Sequence, residues 1–306
     1  MNDQEAHASG LQRNRRERRG VRRAVLLVVI VLATVAPATV ACTRRSDSRI
    51  PSRETTVTVI ATASPDPTST PAAFEPLSVP SKPGYRLVFS DEFIGPTLNA
   101  KKWETSLPWG NTNRVEQQYY TPESVSQRDG VLTMTARKKP TNGKSYASGV
   151  ISSSDRFVFT YGYSEIRAQV PAGTGLWSAF WLVSPIQGSN DEADVMEILG
   201  SDPSKGYAVL HYGTMAKKGR SLSTYRNPDF SVGFHTFAVN WEPDLMVWYV
   251  DGVERYRVTQ NIPSTPMYLI TNLAVGGVDS WSGPPNRYTE FPAELKVDYI
   301  RVFQRN

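Results

Sequence analysis

The sequence is poor in several features that would decide its class. It contains a single cysteine, Cys42, so an intramolecular disulfide is excluded. It has no internal repeat and no long stretch of helical periodicity, which disfavours a repeat array or a helical bundle. Seven arginines against three acidic residues within residues 1–41 carry nearly all of the net charge of +5. The remainder is almost neutral, which argues against a nucleic-acid-binding protein.

The N-terminal segment has the pattern of an export signal. Basic residues end at Arg23, an apolar run follows from Ala24 to Ala36, and small residues precede Cys42. The tetrapeptide Thr39-Val-Ala-Cys42 resembles a bacterial lipobox, in which the cysteine is lipidated. An ordinary signal peptide and an uncleaved membrane anchor are the alternatives. All three predict that residues 1–42 are a leader and that the remainder is secreted or extracytoplasmic, with membrane contact only through the leader or a lipid on Cys42.

Composition divides the rest of the chain in two. Residues 43–82 are rich in Ser, Thr and Pro and have too little apolar surface to offset the entropy of ordering, so they are interpreted as a disordered tether. Residues 83–306 alternate short segments rich in Val, Ile, Tyr and Phe with turns such as Asp129-Gly130 and Asp251-Gly252. Many short strands at regular spacing predict an all-β sandwich of antiparallel sheets.

Three acidic residues lie close together in the segment from Ser189 to Gly200: Glu192, Asp194 and Glu197. A pair of carboxylates can perform retaining glycoside hydrolysis, one as nucleophile and the other as acid and base. In a regular strand Glu192 and Asp194 share a face, whereas Glu197, five residues after Glu192, points the other way. One extra residue in a β-bulge at Val195-Met196 would return Glu197 to that face. A short helix that exposes the acids to solvent is an equally good interpretation of this segment alone.

The wider pattern resembles glycoside hydrolase family 16, in its bulged, laminarinase-like branch. The run from Glu192 to Glu197 resembles the family signature Glu-x-Asp-x-x-Glu, and other matches flank it in order over residues 85–306. They are Phe89-Ser-Asp-Glu-Phe93, Glu116-Gln-Gln-Tyr-Tyr-Thr121, Phe159–Ala168, Gly175-Leu-Trp-Ser-Ala-Phe-Trp181, His211-Tyr-Gly213, Trp248-Tyr-Val-Asp-Gly252, Asn272–Gly277 and Val297–Val302.

This resemblance implies a concanavalin A-like β-jelly roll with a glycan cleft across its concave sheet. It implies that Glu192 is the nucleophile, that Glu197 is the acid/base and that Asp194 orients the nucleophile. No cofactor is expected for catalysis. A structural Ca²⁺ away from the catalytic site is expected on three positions that match a family site: Glu92, the backbone of Gly130 and Asp298.

Substrate contacts are expected from seven further residues. Trp177 and Trp181 lie four apart on a predicted strand and therefore share a face, on which sugar rings can stack. The others are matched by position or by their place in a loop: Arg167, His211, Glu116, Gln118 and Trp281. A buried core position for the tryptophans and a surface salt bridge for Arg167 are the alternatives.

The expected function is a monomeric, retaining endo-glycosidase that cleaves β-1,3-glucan. Mixed β-1,3/1,4-glucan, and after it a galactan such as agarose, are the alternative substrates. The sequence departs from the family pattern at Asp191, Ala193 and Arg114-Val115, where subsites are built, so the substrate is less well defined than the acids. The alternatives are a transglycosylase with the same site, a non-catalytic glucan-binding module and a lectin-like adhesion protein.

Overall fold

The computed structural model describes residues 82–226 and 228–306. The predicted leader and all of the predicted tether except Lys82 lie outside the described residues. Within the described part, regular structure consists of sixteen strands and a single 3₁₀ turn at Pro122–Ser124. No helix in this part is both long and apolar enough to cross a membrane.

Two antiparallel sheets form the sandwich. The eight-stranded sheet has the order β14-β13-β12-β7-β16-β4-β3, with β1 also paired to β16. Its strands are β1 (Tyr85–Asp91), β3 (Val125–Arg128), β4 (Val131–Ala136), β7 (Gly162–Gln169), β12 (His235–Glu242), β13 (Leu245–Val250), β14 (Val253–Val258) and β16 (Ala293–Arg305).

The six-stranded sheet has the order β11-β10-β9-β8-β15-β6. Its strands are β6 (Val150–Ser152), β8 (Leu176–Val183), β9 (Glu192–Leu199), β10 (Lys205–Thr214), β11 (Lys217–Arg226) and β15 (Tyr268–Val275). A separate parallel pair joins β2 (Gln118–Tyr120) to β5 (Tyr146–Ser148).

The predicted all-β sandwich and the two Asp-Gly turns are confirmed. Asp129 and Gly130 close the β3–β4 hairpin, and Asp251 and Gly252 close the β13–β14 hairpin. All four residues have positive φ values, between 50° and 76°. Two positive φ values in a two-residue loop define the turn that matches the right-handed twist of the strands, and Asp-Gly supplies it at low steric cost.

The core lies between the two sheets. Alternate side chains of β7 and β12 meet alternate side chains of β8, β9 and β15, and a single large cluster contains residues such as Ile166, Phe180, Ala193, Phe237 and Leu273, all fully buried. Because successive side chains of a strand point to opposite faces, the inward set leaves the other set of the six-stranded sheet facing outward. That outer face carries the candidate site.

Candidate active site

The acidic segment is a strand, and a β-bulge determines toward which face its acidic side chains point. On β10, Tyr207 pairs with Glu197 and Val209 pairs with Asp194. Between these two pairs, the single residue Ala208 of β10 therefore lies opposite two residues of β9, Val195 and Met196. The register with β8 shifts at the same place. The predicted bulge at Val195-Met196 is therefore present, and the helix alternative is wrong. As a result Glu192, Asp194 and Glu197 all line one cleft.

The strand is anchored at both the bulge and its start. The indole N–H of Trp248, on β13 of the opposite sheet, donates a hydrogen bond of 2.9 Å to the main-chain oxygen of Asp194. This bond crosses the core and satisfies a carbonyl at the bulge. At the start of β9, Asp191 accepts hydrogen bonds from the Gly213 amide and from the Thr265 hydroxyl, at 3.1 and 2.8 Å. The sequence singled out neither anchor.

Burial raises the pKa of each acid. The pKa of Glu192 rises to about 7, mainly through burial, although Lys218 acts in the opposite direction. The pKa of Glu197 rises to about 8 through burial and through the charge of Glu192. Asp194 is the most deeply buried, and burial together with its two acidic neighbours raises its pKa well above the usual range. Near neutral pH the site therefore holds protons that exposed carboxyl groups would release.

His211 completes the polar centre. Its Nε2 atom lies 3.6 Å from Asp194 Oδ2 and 3.8 Å from Glu192 Oε1. Burial, with Arg220 and Lys218 nearby, lowers its pKa, so the ring is neutral at neutral pH. Ligand atoms of Glu192, Asp194 and His211 all lie within 4.8 Å of one another. His211 lines the cleft, at the place that the family resemblance implies.

Aromatic rings flank the acids at both ends of the strands. Trp181 is paired with Asp194 across β8 and β9 and lies 5.9 Å from Trp109, centre to centre. On β8, Trp177 comes two residues before Ala179, the partner of Glu197. Its ring is in edge contact with Trp281 at 5.4 Å, and Trp281 also contacts Tyr207 at 4.5 Å. Trp177, Trp181 and Trp281 line the cleft as expected. Trp109 also lines the cleft, and Tyr207 contacts Trp281 without lining it; the sequence singled out neither ring.

The cleft has a volume of about 510 Å³. Its other walls come from loops and from the neighbouring strands, and they contain residues that the sequence reasoning missed. These are Leu107, Asn113, Tyr120, Ala179, Val209, Arg220, Leu222, Asn272 and Ala274. Asn272 accepts a hydrogen bond of 2.9 Å from the Trp181 indole and donates one of 3.0 Å to the Tyr120 hydroxyl, so it fixes the floor beside the acids.

Of the two residues expected to contact substrate near the start of β2, Glu116 lies in the cleft and Gln118 does not. Glu116 lines the cleft, and burial raises its pKa. Gln118 is completely buried behind it, donates a hydrogen bond of 2.5 Å to the Glu116 carboxylate and accepts one of 2.8 Å from the Val275 amide. The expectation that Gln118 contacts substrate is therefore wrong, because its amide is consumed in holding Glu116 and β15.

Arg167 is also in the wrong place for a substrate contact. It lies on β7, in the other sheet, paired with Thr236 of β12 and Tyr299 of β16. Its guanidinium forms a close ion pair with Asp298 and stacks on Phe234, 5.0 Å from the ring centre. The alternative of a surface salt bridge is correct, with Asp298 as the partner.

The proposed metal positions do share one surface pocket, which Glu92, Gly130 and Asp298 line together. Both carboxylates, however, already have cationic partners. Arg301 holds Glu92 through two hydrogen bonds of 3.0 and 2.7 Å, and Arg167 holds Asp298. Main-chain oxygens are the remaining ligands. The backbones of Gly130 and Glu92 lie close together, because a Cβ atom added at Gly130 would lie 3.9 Å from the carbonyl oxygen of Glu92. Arg301 occupies both oxygens of the Glu92 carboxylate, whereas Arg167 contacts only Oδ2 of Asp298. The residues thus fit a Ca²⁺ held by backbone oxygens and Asp298 Oδ1, without the Glu92 carboxylate.

Comparison with known proteins agrees with this geometry. The family model described as glycosyl hydrolases family 16 matches residues 112–301, a span that contains the three acids. A model described as beta-glucan synthesis-associated protein SKN1/KRE6/Sbg1 matches residues 7–189 and ends before them.

Individual relatives cover most of the described residues. Glucan endo-1,3-beta-glucosidase A1 of Niallia circulans is 33% identical over 74% of this chain, which spans only 39% of that relative's length. A beta-glucanase of Rhodothermus marinus is 34% identical over 72% of this chain and 86% of its own length. The solved endo-beta-1,3-glucanase of Pyrococcus furiosus has 32% identity and a TM-score of 0.64, over 72% of this chain and 95% of its own. On the family model, these relatives and the arrangement of its three acids, the chain belongs to the family 16 glycosyl hydrolases.

Proposed function

We propose that the protein hydrolyses β-1,3-glucan at internal linkages with retention of anomeric configuration. The observation that carries this proposal is the bulge in β9, which places Glu192, Asp194 and Glu197 on one face at the floor of the cleft. The named activities of the relatives, endo-1,3-β-glucosidase and β-glucanase, support the substrate class.

In the proposed reaction, Glu192 attacks the anomeric carbon while Glu197 donates its proton to the departing glycosidic oxygen. A glycosyl ester with Glu192 forms and the first product leaves. Glu197, now ionised, removes a proton from water, which attacks the same carbon and releases Glu192. Burial and the negative charge of Glu192 raise the pKa of Glu197, which supports its role because the acid must hold its proton beside an ionised nucleophile.

The aromatic rings support binding of a neutral sugar chain. Apolar faces of glucose units can stack on Trp109 and Trp181 beside Asp194, and on Trp177 and Trp281 beyond Glu197. Rings on both sides of the acids favour binding of sugar units on both sides of the bond that is cut, which supports internal cleavage.

A transglycosylase is the second candidate. It would use the same residues, with a sugar hydroxyl in place of water in the second step. The match to the β-glucan synthesis-associated model over residues 7–189 favours it, since that description refers to making glucan. Product analysis with an added acceptor oligosaccharide distinguishes the two, because transfer gives products longer than the substrate.

The test is reducing-sugar release from laminarin, lichenan and agarose, with Glu192→Gln as the control. We expect turnover of laminarin above lichenan, none of agarose, and loss of all turnover in the variant. Early release of the β-anomer, followed by NMR, tests retention. A folded wild-type protein that cuts none of the three glycans would contradict the proposal and favour a binding module.

Binding of Ca²⁺ on the eight-stranded sheet is a separate proposal. The test is thermal unfolding with Ca²⁺ and with a chelator, for the wild-type protein and for Asp298→Asn. Ca²⁺ at about a hundred times its Kd would stabilise the native state by roughly 2.7 kcal/mol. We expect a higher Tm with Ca²⁺ in the wild-type protein only. An equal Tm in both conditions would contradict the site.

Export and lipid attachment through Cys42 are proposed from the sequence. A labelled fatty acid should be incorporated into the chain in a bacterial host and not into Cys42→Ala. Release of the wild-type protein into the medium without lipid would contradict lipidation and leave an ordinary signal peptide as the interpretation.

A further inference from the structure

One wall of the cleft carries positive charge that forms no ion pair within the described residues. Arg220 lines the cleft from β11, the edge strand of the six-stranded sheet, and Lys218 precedes it by two residues. Both side chains are exposed, and neither takes part in an ion pair or side-chain hydrogen bond within residues 82–226 and 228–306. By contrast Arg156, Arg226 and Arg257 form ion pairs with nearby acids.

The strand register places these two cations on the cleft face. Arg220 pairs with His211, and His211 pairs with Glu192, so the three residues lie in one row across three adjacent strands. Strands are spaced about 4.8 Å apart, which puts the backbone of Arg220 about 10 Å from that of Glu192. Lys218, two residues along, faces the same way. This distance is within reach of a substituent on a sugar unit bound next to the nucleophile.

A neutral glucan offers these cations only hydroxyl oxygens, which water offers as well. A guanidinium binds carboxylate, sulfate or phosphate through paired hydrogen bonds, and an adjacent ammonium adds attraction. Resting on the glucan-cleaving function proposed above, we propose that the Lys218–Arg220 edge binds an acidic substituent, so that the enzyme prefers β-glucan chains decorated with anionic groups.

A competing role is charge balance. The cations face three carboxyl groups, and their charge also favours ionisation of the acids. Charge balance acts equally on any substrate and moves the pH profile, whereas recognition changes the ratio of kcat/KM between an anionic and a neutral glucan. The two roles are therefore separable.

The experiment compares laminarin with carboxymethylated laminarin prepared from the same polymer, using the full chain and the double variant Lys218→Gln/Arg220→Gln. We expect the ratio of kcat/KM, carboxymethylated over neutral, to fall about five- to tenfold in the double variant, as for loss of two exposed charged contacts. In the wild-type protein the ratio should also fall as salt is raised through about 0.1–0.5 M, because exposed charges are screened.

Lys217→Gln is the matched control. It removes one charge from the same strand, at a position with the parity of the buried Tyr225 rather than of Arg220. It should keep the wild-type ratio. A ratio unchanged in the double variant, with a shifted pH profile on both polymers, would overturn the proposal and assign the cations to charge balance.

A measurement of glucan binding tests this inference separately from the proposed function. If the wild-type protein cleaves neither polymer, the hydrolase proposal fails, and affinity electrophoresis in gels containing each polymer still tests the charged edge. Greater retardation by carboxymethylated laminarin, lost in the double variant, supports it. Equal retardation by the two polymers overturns it. Laminarin sulfate in a third gel shows whether the edge accepts sulfate as well as carboxylate.

Discussion

The outer faces of the two sheets differ in whether their charged side chains form ion pairs. On the eight-stranded sheet the charges are paired: Arg301 with Glu92, Arg167 with Asp298, and Arg305 with Glu242. On the six-stranded sheet Glu192, Asp194 and Glu197 lie side by side; Asp194 and Glu197 are buried and the Glu192 side chain is 33% exposed. No lysine or arginine in the described part of the chain forms an ion pair with them.

The difference separates stability from function. A charge that is paired in the native state costs little free energy of folding. Buried carboxylates beside one another raise each other's pKa, and they oppose folding when they are ionised. Glu92 illustrates the first case, because it accepts hydrogen bonds of 3.0 and 2.7 Å from the Arg301 guanidinium. The acids of β9 illustrate the second, and their raised pKa values are what acid–base chemistry near neutral pH requires.

Loss of either glutamate in the cleft gives the largest expected effect. Glu192→Gln and Glu197→Gln should each lower kcat/KM on laminarin by about 10³-fold or more, since one removes the nucleophile and the other the proton donor. Glu165→Gln, a carboxylate of the other sheet, should stay within about twofold. Initial rates of reducing-sugar release measure this. An equal loss in all three variants would mean that the effect is structural.

Stability should respond to pH through the same acids. The folded-state pKa of Glu197, about 8, is above the ordinary value of 4.5, so the native protein keeps a proton that the unfolded chain releases. Stability is therefore highest below the unfolded pKa and declines as pH rises through the folded pKa. Glu197→Gln should be more stable than the wild-type protein by about 2–4 kcal/mol near pH 8 and nearly equal to it near pH 4.5.

Urea unfolding at the two pH values measures this difference. Glu165→Gln again serves as the control and should keep the pH dependence of the wild-type protein. A Glu197→Gln variant that is less stable near pH 8 would show that the carboxylate contributes more in hydrogen bonds than it costs by its burial.

The anchor at the bulge links the two sheets. Trp248→Phe keeps an aromatic ring but removes the donor to the Asp194 carbonyl, which should cost about 1–3 kcal/mol of stability because a buried acceptor loses its partner. We expect kcat to fall as well, because Asp194 and Glu197 shift together. Trp241→Phe is the matched control: its indole donates to the Pro263 carbonyl, at 2.9 Å, away from the acids. It should lose similar stability and keep its kcat. Equal kcat values would contradict the positioning role of Trp248.

The smallest effect is expected at the rim of the cleft. Trp281→Ala should raise KM about three- to tenfold with little change in kcat, since a stacked ring binds ground state and transition state alike. Tyr288→Ala, in the same loop but 71% exposed and outside the cleft, should leave KM unchanged. Steady-state kinetics on laminarin oligosaccharides decide, and a fall in kcat alone would mean that Trp281 supports the acids rather than the sugar.

Local rules account for most of what could be predicted from the residues. The Asp-Gly turns follow from backbone conformation alone, and the strands from alternation of side chains. The bulge at Val195-Met196 follows from the odd spacing of Glu192 and Glu197 once both are required on one face. The choice between helix and strand for that segment was not local, because Ala193, Met196 and Leu199 satisfy a helical pattern too.

The wrong expectations for Arg167 and Gln118 share one physical cause. Alternation tells which residues of a strand share a face, as with Arg167 and Glu165 or Lys218 and Arg220, but not which sheet the strand joins or what covers that face. Arg167 misses the cleft because β7 pairs with β12 and β16, and Gln118 misses it because β15 covers its amide. The sequence by itself determined the strands, their turns and the acids that must act together. Only the tertiary structure decided which aromatic rings and cations surround those acids, because these residues come from separate strands and loops that meet only when the sheets assemble.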